Sequence, residues 1–162
     1  MSGWQRVMTQ LVSDRGSALK GYGFLLCGTD AEAADLVQEA LVRVFARPRA
    51  GWTVQDAEAY VRRAMLNYFL DERRRSTRWS ALMPRLRHDD PERDIAPGAT
   101  ERLDILGALQ TLSPRQRACV VLRFYEDRSV HEIAEQLRCS EGTIKRHLSD
   151  ANVRLRVQLS VS

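Results

Sequence analysis

Apolar residues recur at helical spacing along almost all of the 162-residue chain. Between residues 30 and 45 they repeat with a period that places one side of a helix in a core, and residues 56–75 show a second such pattern. Asp30 and Asp56 are the predicted N-caps of these two helices. No stretch alternates apolar and polar residues between turn signals, as a half-buried strand would. The pattern therefore predicts an all-α protein.

Two helix-start signals open the C-terminal part of the chain. Ser113 is followed by Pro114 and, three residues after the cap, by Gln116. Ser129 is followed at the same distance by Glu132, so both serines match the capping-box pattern. The sequence thus predicts two helices here, whose inward positions are Ala118, Val121, Leu122 and Tyr125 in the first and Val130, Ile133, Ala134 and Leu137 in the second.

A third helix follows after a short turn, and Ser140 is its predicted N-cap. Its inward positions are Ile144, Leu148, Ala151 and Leu155. The other side is small, polar and cationic near its N-terminal end, where the candidate DNA-binding residues are Thr143, Lys145, Arg146 and Ser149. In a helix-turn-helix the second helix lies in the major groove, where such side chains pair with base edges and phosphates. The pattern favours DNA binding over a helical hairpin with a solvated charged face.

The helical pattern is interrupted between residues 76 and 100. This segment holds three of the five prolines, clustered charge and little apolar periodicity. Fully extended, it would span up to about 80 Å, so the parts on either side could engage well-separated sites. We therefore predict two small helical domains, residues 1–75 and 101–162, joined by a flexible linker, residues 76–100.

The helix predicted to start near Asp56 has a second, polar side. Arg63, Asn67, Leu70 and Arg74 align there, and Arg73, Arg74 and Arg75 end the helix. Arginines at the C-terminal end of a helix are often explained by their favourable interaction with the helix dipole alone. An Asn and a Leu in the same stripe are better explained by a surface that binds a nucleic-acid strand. The preceding loop carries two arginines and Trp52, a candidate for stacking on an unpaired base.

The helix predicted to start near Asp30 presents an acidic surface. Its outward residues are Asp35, Gln38, Glu39 and Val42. A patch of this kind, with one exposed aliphatic residue, suits a protein partner, although a solvated helix face has the same composition.

Composition narrows the possible partners and functions only slightly. Twenty-five Lys and Arg against 21 Asp and Glu give a charge of +4, which permits a polyanionic partner without requiring one. Cys27, Cys119 and Cys139 are odd in number and lack C-x-x-C spacing, so we expect reduced thiols. No secretory leader or membrane-length apolar run is found, which predicts a cytoplasmic protein.

The chain carries no pattern typical of an enzyme. It lacks G-x-S-x-G, a phosphate-binding glycine loop and H-E-x-x-H, so we predict neither catalysis nor a cofactor. His131, Cys139 and His147 lie around the helix-turn-helix, but three scattered ligands without a fourth match no familiar zinc spacing. No metal site is predicted.

Three segments resemble the extracytoplasmic-function branch of the bacterial sigma factors, within the sigma-70 family. "GTDAEAADLVQEALVRVF" and "AEAYVRRAMLNYFLDERRR" are similar to region 2 of that family, and "LSPRQRACVVLRFYEDRSVHEIAEQLRCSEGTIKRHLSDANVRLR" is similar to region 4. The resemblance spans roughly residues 5–157. It implies a factor that binds core RNA polymerase and directs promoter-specific initiation of transcription in a bacterial cytoplasm, at the nucleoid when bound to polymerase.

The resemblance also implies a division of labour between the two domains. The first would dock on the polymerase through Asp35, Gln38 and Glu39 and open the minus-10 element of promoter DNA with Trp52, Arg63, Asn67 and Arg74. The second would read the minus-35 element with the candidate DNA-binding helix. An anti-sigma protein is a further partner that the exposed polymerase-binding surface would suit.

One position departs from the family's pattern. Where the family often continues with a dense arginine run, this chain has Ser149 and Asp150. Asp150 would either repel a phosphate or accept a hydrogen bond from a cytosine amino group, so we do not transfer the family's contact to it. The alternative function is a free-standing helix-turn-helix transcriptional regulator, which would bind duplex DNA without polymerase.

Overall fold

The computed structural model describes residues 1–82 and 100–160 and places them in helices joined by short turns. Residues 1–82 belong to one compact unit and residues 100–160 to another. The all-α class and the presence of two helical domains are thereby confirmed.

The first unit is built from three mutually packed helices, α1 (Gly3–Cys27), α2 (Asp30–Phe45) and α3 (Val54–Leu82). Each contributes its apolar side to a single core, whose largest members are Leu11, Leu19, Tyr22, Leu26, Leu36, Val61, Met65, Leu66 and Phe69. Gly23 lies where α1 crosses α2. A Cβ at this position would come within 3.3 Å of the Cα of Ala33, so the absence of a side chain allows the close approach of the two helices.

The caps of α2 and α3 differ from the prediction. Thr29 caps α2, because its hydroxyl accepts a hydrogen bond from the amide of Glu32 (3.3 Å). At α3 the amide of Asp56 donates to Thr53 Oγ1 (3.1 Å), and the Thr53 amide donates to the Asp56 carboxylate (3.0 Å). Asp30 and Asp56 were wrongly predicted as N-caps. They lie in the first turns of α2 and α3, where a carboxylate interacts favourably with the helix dipole.

Helix α3 continues to Leu82, seven residues into the segment predicted as a linker. Residues 76–82 contain neither glycine nor proline, and the first helix-breaking residue after them is Pro84. Their apolar residues, Trp79, Ala81 and Leu82, are too few to give an apolar period, which is why the sequence pattern ends earlier than the helix. The rest of the predicted linker, residues 83–99, lies outside the described residues, so its boundaries and flexibility remain a prediction.

A buried carboxylate ties α1 to α3. Arg15 donates to both oxygens of Glu58 at 3.0 to 3.1 Å, and Arg62 donates to the same group at 2.7 Å. Burial alone would raise the pKa of Glu58, but the two guanidinium groups outweigh it and lower the pKa. The stabilisation by this ionised group is therefore complete above its unfolded pKa and is lost as the pH falls through the lowered value.

The second unit contains α4 (Thr100–Gln110), α5 (Pro114–Val120), α6 (Val130–Leu137) and α7 (Glu141–Ser160). A π-helical segment, Val121–Tyr125, continues α5. Their shared core is formed mainly by Leu109, Leu112, Ala118, Cys119, Val121, Leu122, Ile133, Leu137, Ile144 and Ala151.

The buried arginine Arg117 fixes the end of α4 against α5. Its guanidinium donates to the carbonyl oxygens of Leu109 (2.9 Å), Leu112 (3.0 Å) and Gln110 (3.4 Å), and the residue is only 4% exposed. Carbonyls at a helix C-terminus have no partner within the helix, so this side chain acts as their cap. The sequence pattern gave no sign of this role, because the partners of Arg117 are backbone carbonyls five to eight residues earlier in the chain.

Both predicted capping boxes in the second unit are confirmed, at Ser113 with Gln116 and at Ser129 with Glu132. One inward position is wrong: Tyr125 is 51% exposed. The amide of Glu126 donates to the carbonyl of Val121, an i to i+5 bond, and this wider turn carries Tyr125 away from the core.

Candidate nucleic-acid interfaces

The end of α6 and the start of α7 form the predicted helix-turn-helix. Arg138 ends α6 with a left-handed backbone (φ 56°), a conformation that turns the chain sharply. The hydroxyl of Ser140 then accepts from the amide of Thr143 (3.1 Å), as predicted for an N-cap. Ile144 and Ala151 are fully buried, so the orientation of α7 is fixed by its apolar side.

The predicted DNA-binding residues of α7 lie on its other side. Lys145, Arg146 and Ser149 are exposed, and no ion pair within residues 1–82 and 100–160 engages either cation. Thr143 is half-buried, and its hydroxyl lies 2.9 Å from that of Ser140, so part of its hydrogen-bonding capacity serves the cap. The first turns of α7 thus present two unpaired cations beside a helix N-terminus, an arrangement suited to an anionic partner.

The histidines of this unit are placed differently from each other. His131 is exposed on α6, with Nε2 3.1 Å from Glu135 and Nδ1 3.7 Å from Glu141. Burial, and after it the charge of Arg115, lowers the pKa of His147, so its imidazole is neutral at pH 7. Within the described part of the chain no group of three or more His, Cys, Asp and Glu residues is arranged to hold a metal ion.

In the first unit, the polar stripe of α3 is exposed as predicted. Arg63, Asn67 and Arg74 are all solvent-exposed, and Leu70 is half-buried between them. The opposite side of the helix is fully buried at Val61 and Met65. We call Arg63, Asn67, Leu70 and Arg74 the α3 stripe.

Trp52 lies in an aromatic cluster at the start of this stripe. Its ring meets Phe45 edge-on with centroids 5.7 Å apart, and it packs on Tyr60 at 5.3 Å. Arg49 lies over the ring of Tyr60 and donates to its hydroxyl at 2.8 Å. These contacts hold the tryptophan in a fixed position beside α3.

A cavity of about 530 Å³ opens next to Trp52. The loop before α3 and the start of α1 line it, with Trp4, Pro48, Arg49, Gly51 and Trp52 among its residues. An open cavity that combines two indole rings with a guanidinium has the chemistry that binds an unstacked base. Arg49 is one of the two arginines of the loop predicted to hold an unstacked base, whereas Trp4 and Tyr60 were not among the predicted site residues. The signal for Tyr60 was its spacing, three residues before Arg63 on the same helix face.

The acidic surface of α2 is partly as predicted. Asp35 and Gln38 are exposed, and Val42 is 68% exposed. Glu39 is only half-exposed and is paired with Arg43 at 3.1 Å, while Arg43 also lies 4.6 Å from the centre of the Tyr68 ring. Asp35 lies at the mouth of a groove between α2 and α3 that is also lined by Glu32, Glu72 and Arg73.

Each of the two units matches a known protein family. The family model described as Sigma-70 region 2 matches residues 11–79, and that described as Sigma-70, region 4 matches residues 108–157. None of the described helices is long and apolar enough to cross a membrane.

Full-length relatives and a solved structure agree with these matches. The chain is 32% identical over 157 residues to the ECF RNA polymerase sigma factor SigL of Mycobacterium tuberculosis, an alignment that covers 94% of this chain and 89% of the relative. It is 34% identical over 154 residues to the RNA polymerase sigma-E factor of Streptomyces coelicolor, covering 93% and 84%. The sigma factor RpoE from Bartonella quintana, crystallised with the anti-sigma factor NepR, has a similar fold, with a TM-score of 0.70, 23% identity, and coverage of 100% and 99%. The chain therefore belongs to the extracytoplasmic-function (ECF) RNA polymerase sigma factors of the sigma-70 family.

Proposed function

We propose that this sigma factor binds core RNA polymerase through α2, opens the minus-10 element along the α3 stripe and reads the minus-35 element with α7. One observation carries the proposal: two helices, one in each unit, expose cations without ion pairs in the described residues, opposite a fully buried apolar side. On α3 these cations are Arg63 and Arg74, and on α7 they are Lys145 and Arg146.

The aromatic cavity beside α3 supports strand opening. Duplex DNA exposes its bases only at the groove edges, whereas a single strand offers a whole base face for stacking. Trp52 would stack on such a base, while Arg63, Asn67 and Arg74 would hold the strand that follows. The guanidinium of Arg49, already positioned on Tyr60, would lie beside the same base.

The start of α7 supports duplex reading. Arg146 lies opposite the buried Ile144 and Ala151, where a side chain of a recognition helix points to the base edges. Lys145 lies toward the flank of the helix, nearer a phosphate, and Ser149 lies one turn after Arg146. Thr143 would contact the DNA backbone through the part of its hydroxyl that is not engaged with Ser140.

Sigma factors are transcription initiation factors and not enzymes, and for this chain we propose no catalytic activity and no cofactor. We also place it in the bacterial cytoplasm, at the nucleoid when polymerase-bound. The structural relative from Bartonella quintana was solved with an anti-sigma factor, and an anti-sigma protein that covers the α2 surface would be consistent with its exposed Asp35, Gln38 and Val42. The free-standing regulator is not favoured, because a polymerase sigma region matches each of the two units.

Transcription with purified components tests the function. Core polymerase from the source bacterium, mixed with this chain and genomic DNA fragments, should start transcripts at a defined set of sites that core polymerase alone does not use. The same chain without polymerase should show no comparable site preference on duplex DNA. Site-specific binding by the chain alone, together with no effect on initiation by core polymerase, would support the free-standing regulator instead.

Charge reversal on α2 tests the polymerase contact. Asp35→Lys combined with Glu39→Lys should weaken binding to core polymerase at least about tenfold, equal to about 1.4 kcal/mol. Folding should change little, because Asp35 is exposed and the Glu39–Arg43 pair is a surface pair worth about 0.5 kcal/mol.

The control for charge is Asp14→Lys, at an exposed carboxylate on α1, and it is matched to Asp35→Lys alone because each changes the net charge by two. It should leave polymerase binding unchanged. If Asp14→Lys weakens binding as much as Asp35→Lys alone does, then overall charge and not the α2 surface determines the affinity.

A further inference from the structure

The turn between α6 and α7 contains an arginine in an unfavourable backbone conformation. Arg138 has φ 56° and ψ 52°, in the left-handed region that residues with a Cβ rarely occupy. Helix α1 also ends at a left-handed residue, and there it is Gly28, which adopts this conformation without strain. The chain thus has glycine at one such helix end and arginine at the other, although the backbone makes a similar demand at both.

The backbone of Arg138, and not its side chain, serves the fold. Its amide donates to the carbonyls of Ala134 and Glu135, and the amide of Cys139 donates to the carbonyl of Ala134 at 3.1 Å. Glycine would form all of these bonds, because each of them is made by the main chain. The Arg138 side chain is exposed and forms no hydrogen bond, ion pair or ring contact with any residue in the ranges 1–82 and 100–160. No polar contact of the guanidinium within these ranges therefore offsets the strain.

The carboxylates nearest to Arg138 in sequence are engaged with a histidine. Glu135 and Glu141 each lie three residues from Arg138, one on α6 and the other on α7. Both approach the imidazole of His131, at 3.1 Å from Nε2 and at 3.7 Å from Nδ1. With these acceptors directed at His131, the guanidinium of Arg138 is left to an anionic partner outside the protein.

Arg138 lies at the entrance to the helix that is proposed to read the minus-35 element. Only Cys139 separates it from Ser140, the N-cap of α7, so its Cα lies within about 7 Å of the start of that helix. An α-helix with its side chains is about 10 to 12 Å wide and the major groove is about 12 Å wide, so the chain that leads into α7 must pass an edge of the groove. Phosphates line both edges, and a guanidinium binds a phosphate through two parallel hydrogen bonds.

We propose that Arg138 binds a phosphate of the promoter backbone at the edge of the minus-35 element. The inference rests on the proposed function, in which α7 lies in the major groove of that element. The contact would fix the position of α7 on the duplex without reading a base, as phosphate contacts do. The strained turn then serves DNA affinity, since glycine, the residue that suits this backbone best, carries no charge.

Glycine at this position separates DNA binding from folding. Arg138→Gly should lower the slope of log binding constant against log salt concentration by about 0.9, and it should weaken binding to every minus-35 base substitution by about the same factor. The measurement is binding of reconstituted holoenzyme to duplexes of a promoter that it uses, at several salt concentrations. Arg138→Lys should retain most of the slope, because lysine also neutralises a phosphate.

The same variant should make the second unit more stable. Because glycine relieves the left-handed backbone, Arg138→Gly should raise the melting temperature of this unit by about 4 °C in far-UV circular dichroism. An arginine retained for the fold would give the opposite sign. Binding to core polymerase in the absence of DNA should not change.

Arg154→Ala is the control for charge. It removes one positive charge from the same unit, but Arg154 donates to the carbonyl of Thr111 at 2.7 Å, just after the end of α4. It should leave the salt slope unchanged.

Four results would each overturn the proposal. Arg138→Gly could keep the wild-type salt slope, lower the melting temperature of the second unit, or weaken binding to core polymerase without DNA. The fourth result is a loss of slope in Arg154→Ala equal to that in Arg138→Gly. Wild-type holoenzyme that binds every minus-35 substitution equally would instead contradict the proposed function, and this inference with it.

Discussion

Replacing Arg117 by methionine should lower the free energy of unfolding of the second unit by about 3 kcal/mol or more. Methionine fills much of the same space but donates no hydrogen bond, so the Leu112 carbonyl would lose the guanidinium as its donor, and the Leu109 carbonyl would keep only the amide of Leu112 (3.1 Å). In a domain of this size, each kcal/mol corresponds to about 4 to 8 °C in melting temperature.

The two units can be followed separately in this experiment. The tryptophans are Trp4, Trp52 and Trp79, all in the first unit, so their fluorescence reports that unit while far-UV circular dichroism reports both. Arg123→Met is the matched control, because Arg123 makes one such bond, to the carbonyl of Arg128 at 3.1 Å, and should cost less. A loss below about 1 kcal/mol for Arg117→Met, no larger than one ordinary hydrogen bond, would show that Arg117 is not the cap we describe.

The second large effect is expected on promoter recognition. Arg146→Ala should cost about 1 to 3 kcal/mol at the preferred minus-35 sequence and relax discrimination at one or two base pairs, as expected when a bidentate base contact is lost. Arg146 is exposed and has no ion pair in the described part of the protein, so the substitution should leave the stability of the second unit almost unchanged.

Lys145→Ala is the comparison that separates base reading from charge. Lys145 lies toward the flank of α7, so its loss should weaken all sequences about equally and lower the salt slope by about one unit. The measurement is binding by reconstituted holoenzyme to a series of minus-35 base substitutions at several salt concentrations. If both variants shift every promoter by the same factor, α7 contacts only the backbone and the role proposed for Arg146 is wrong.

Features that depend on neighbouring residues were predicted well. The capping boxes at Ser113 and Ser129, the turn before Ser140 and the buried positions Ile144 and Ala151 all follow from spacing along one helix or one turn. A cap needs only a hydroxyl and an amide three residues apart, and an apolar side needs only a regular period, so one sequence contains both signals.

Features that depend on distant partners were missed. Arg117 is identified as a cap only when α4 and α5 are brought together, and Trp4 joins the cavity of Trp52 only when the start of α1 meets the loop before α3. Glu39 was predicted to face outward, but its pairing with Arg43 and the position of Arg43 over Tyr68 depend on how α2 packs on α3. Sequence spacing gives the side of a helix but not what the neighbouring helix places there.

The predicted and observed starts of α2 and α3 differ for a third reason. Thr29 and Asp30 are both good N-cap residues, as are Thr53 and Asp56, so propensity alone does not choose between them. The backbone of Thr29 is extended while Asp30 is already helical, which settles the choice for α2.

The π-helical segment at Val121–Tyr125 would change the alignment of this chain with any protein whose helix is uninterrupted at this place. Its i to i+5 bond between Glu126 and Val121 accommodates one residue more than a regular helical turn would, so a residue at its end lies about 100° behind its place in an uninterrupted helix. Against a relative with an uninterrupted helix at this place, equal numbers of residues would pair Tyr125 with a core position that it does not occupy. A correct alignment needs a one-residue gap inside the helix, where gaps are usually avoided.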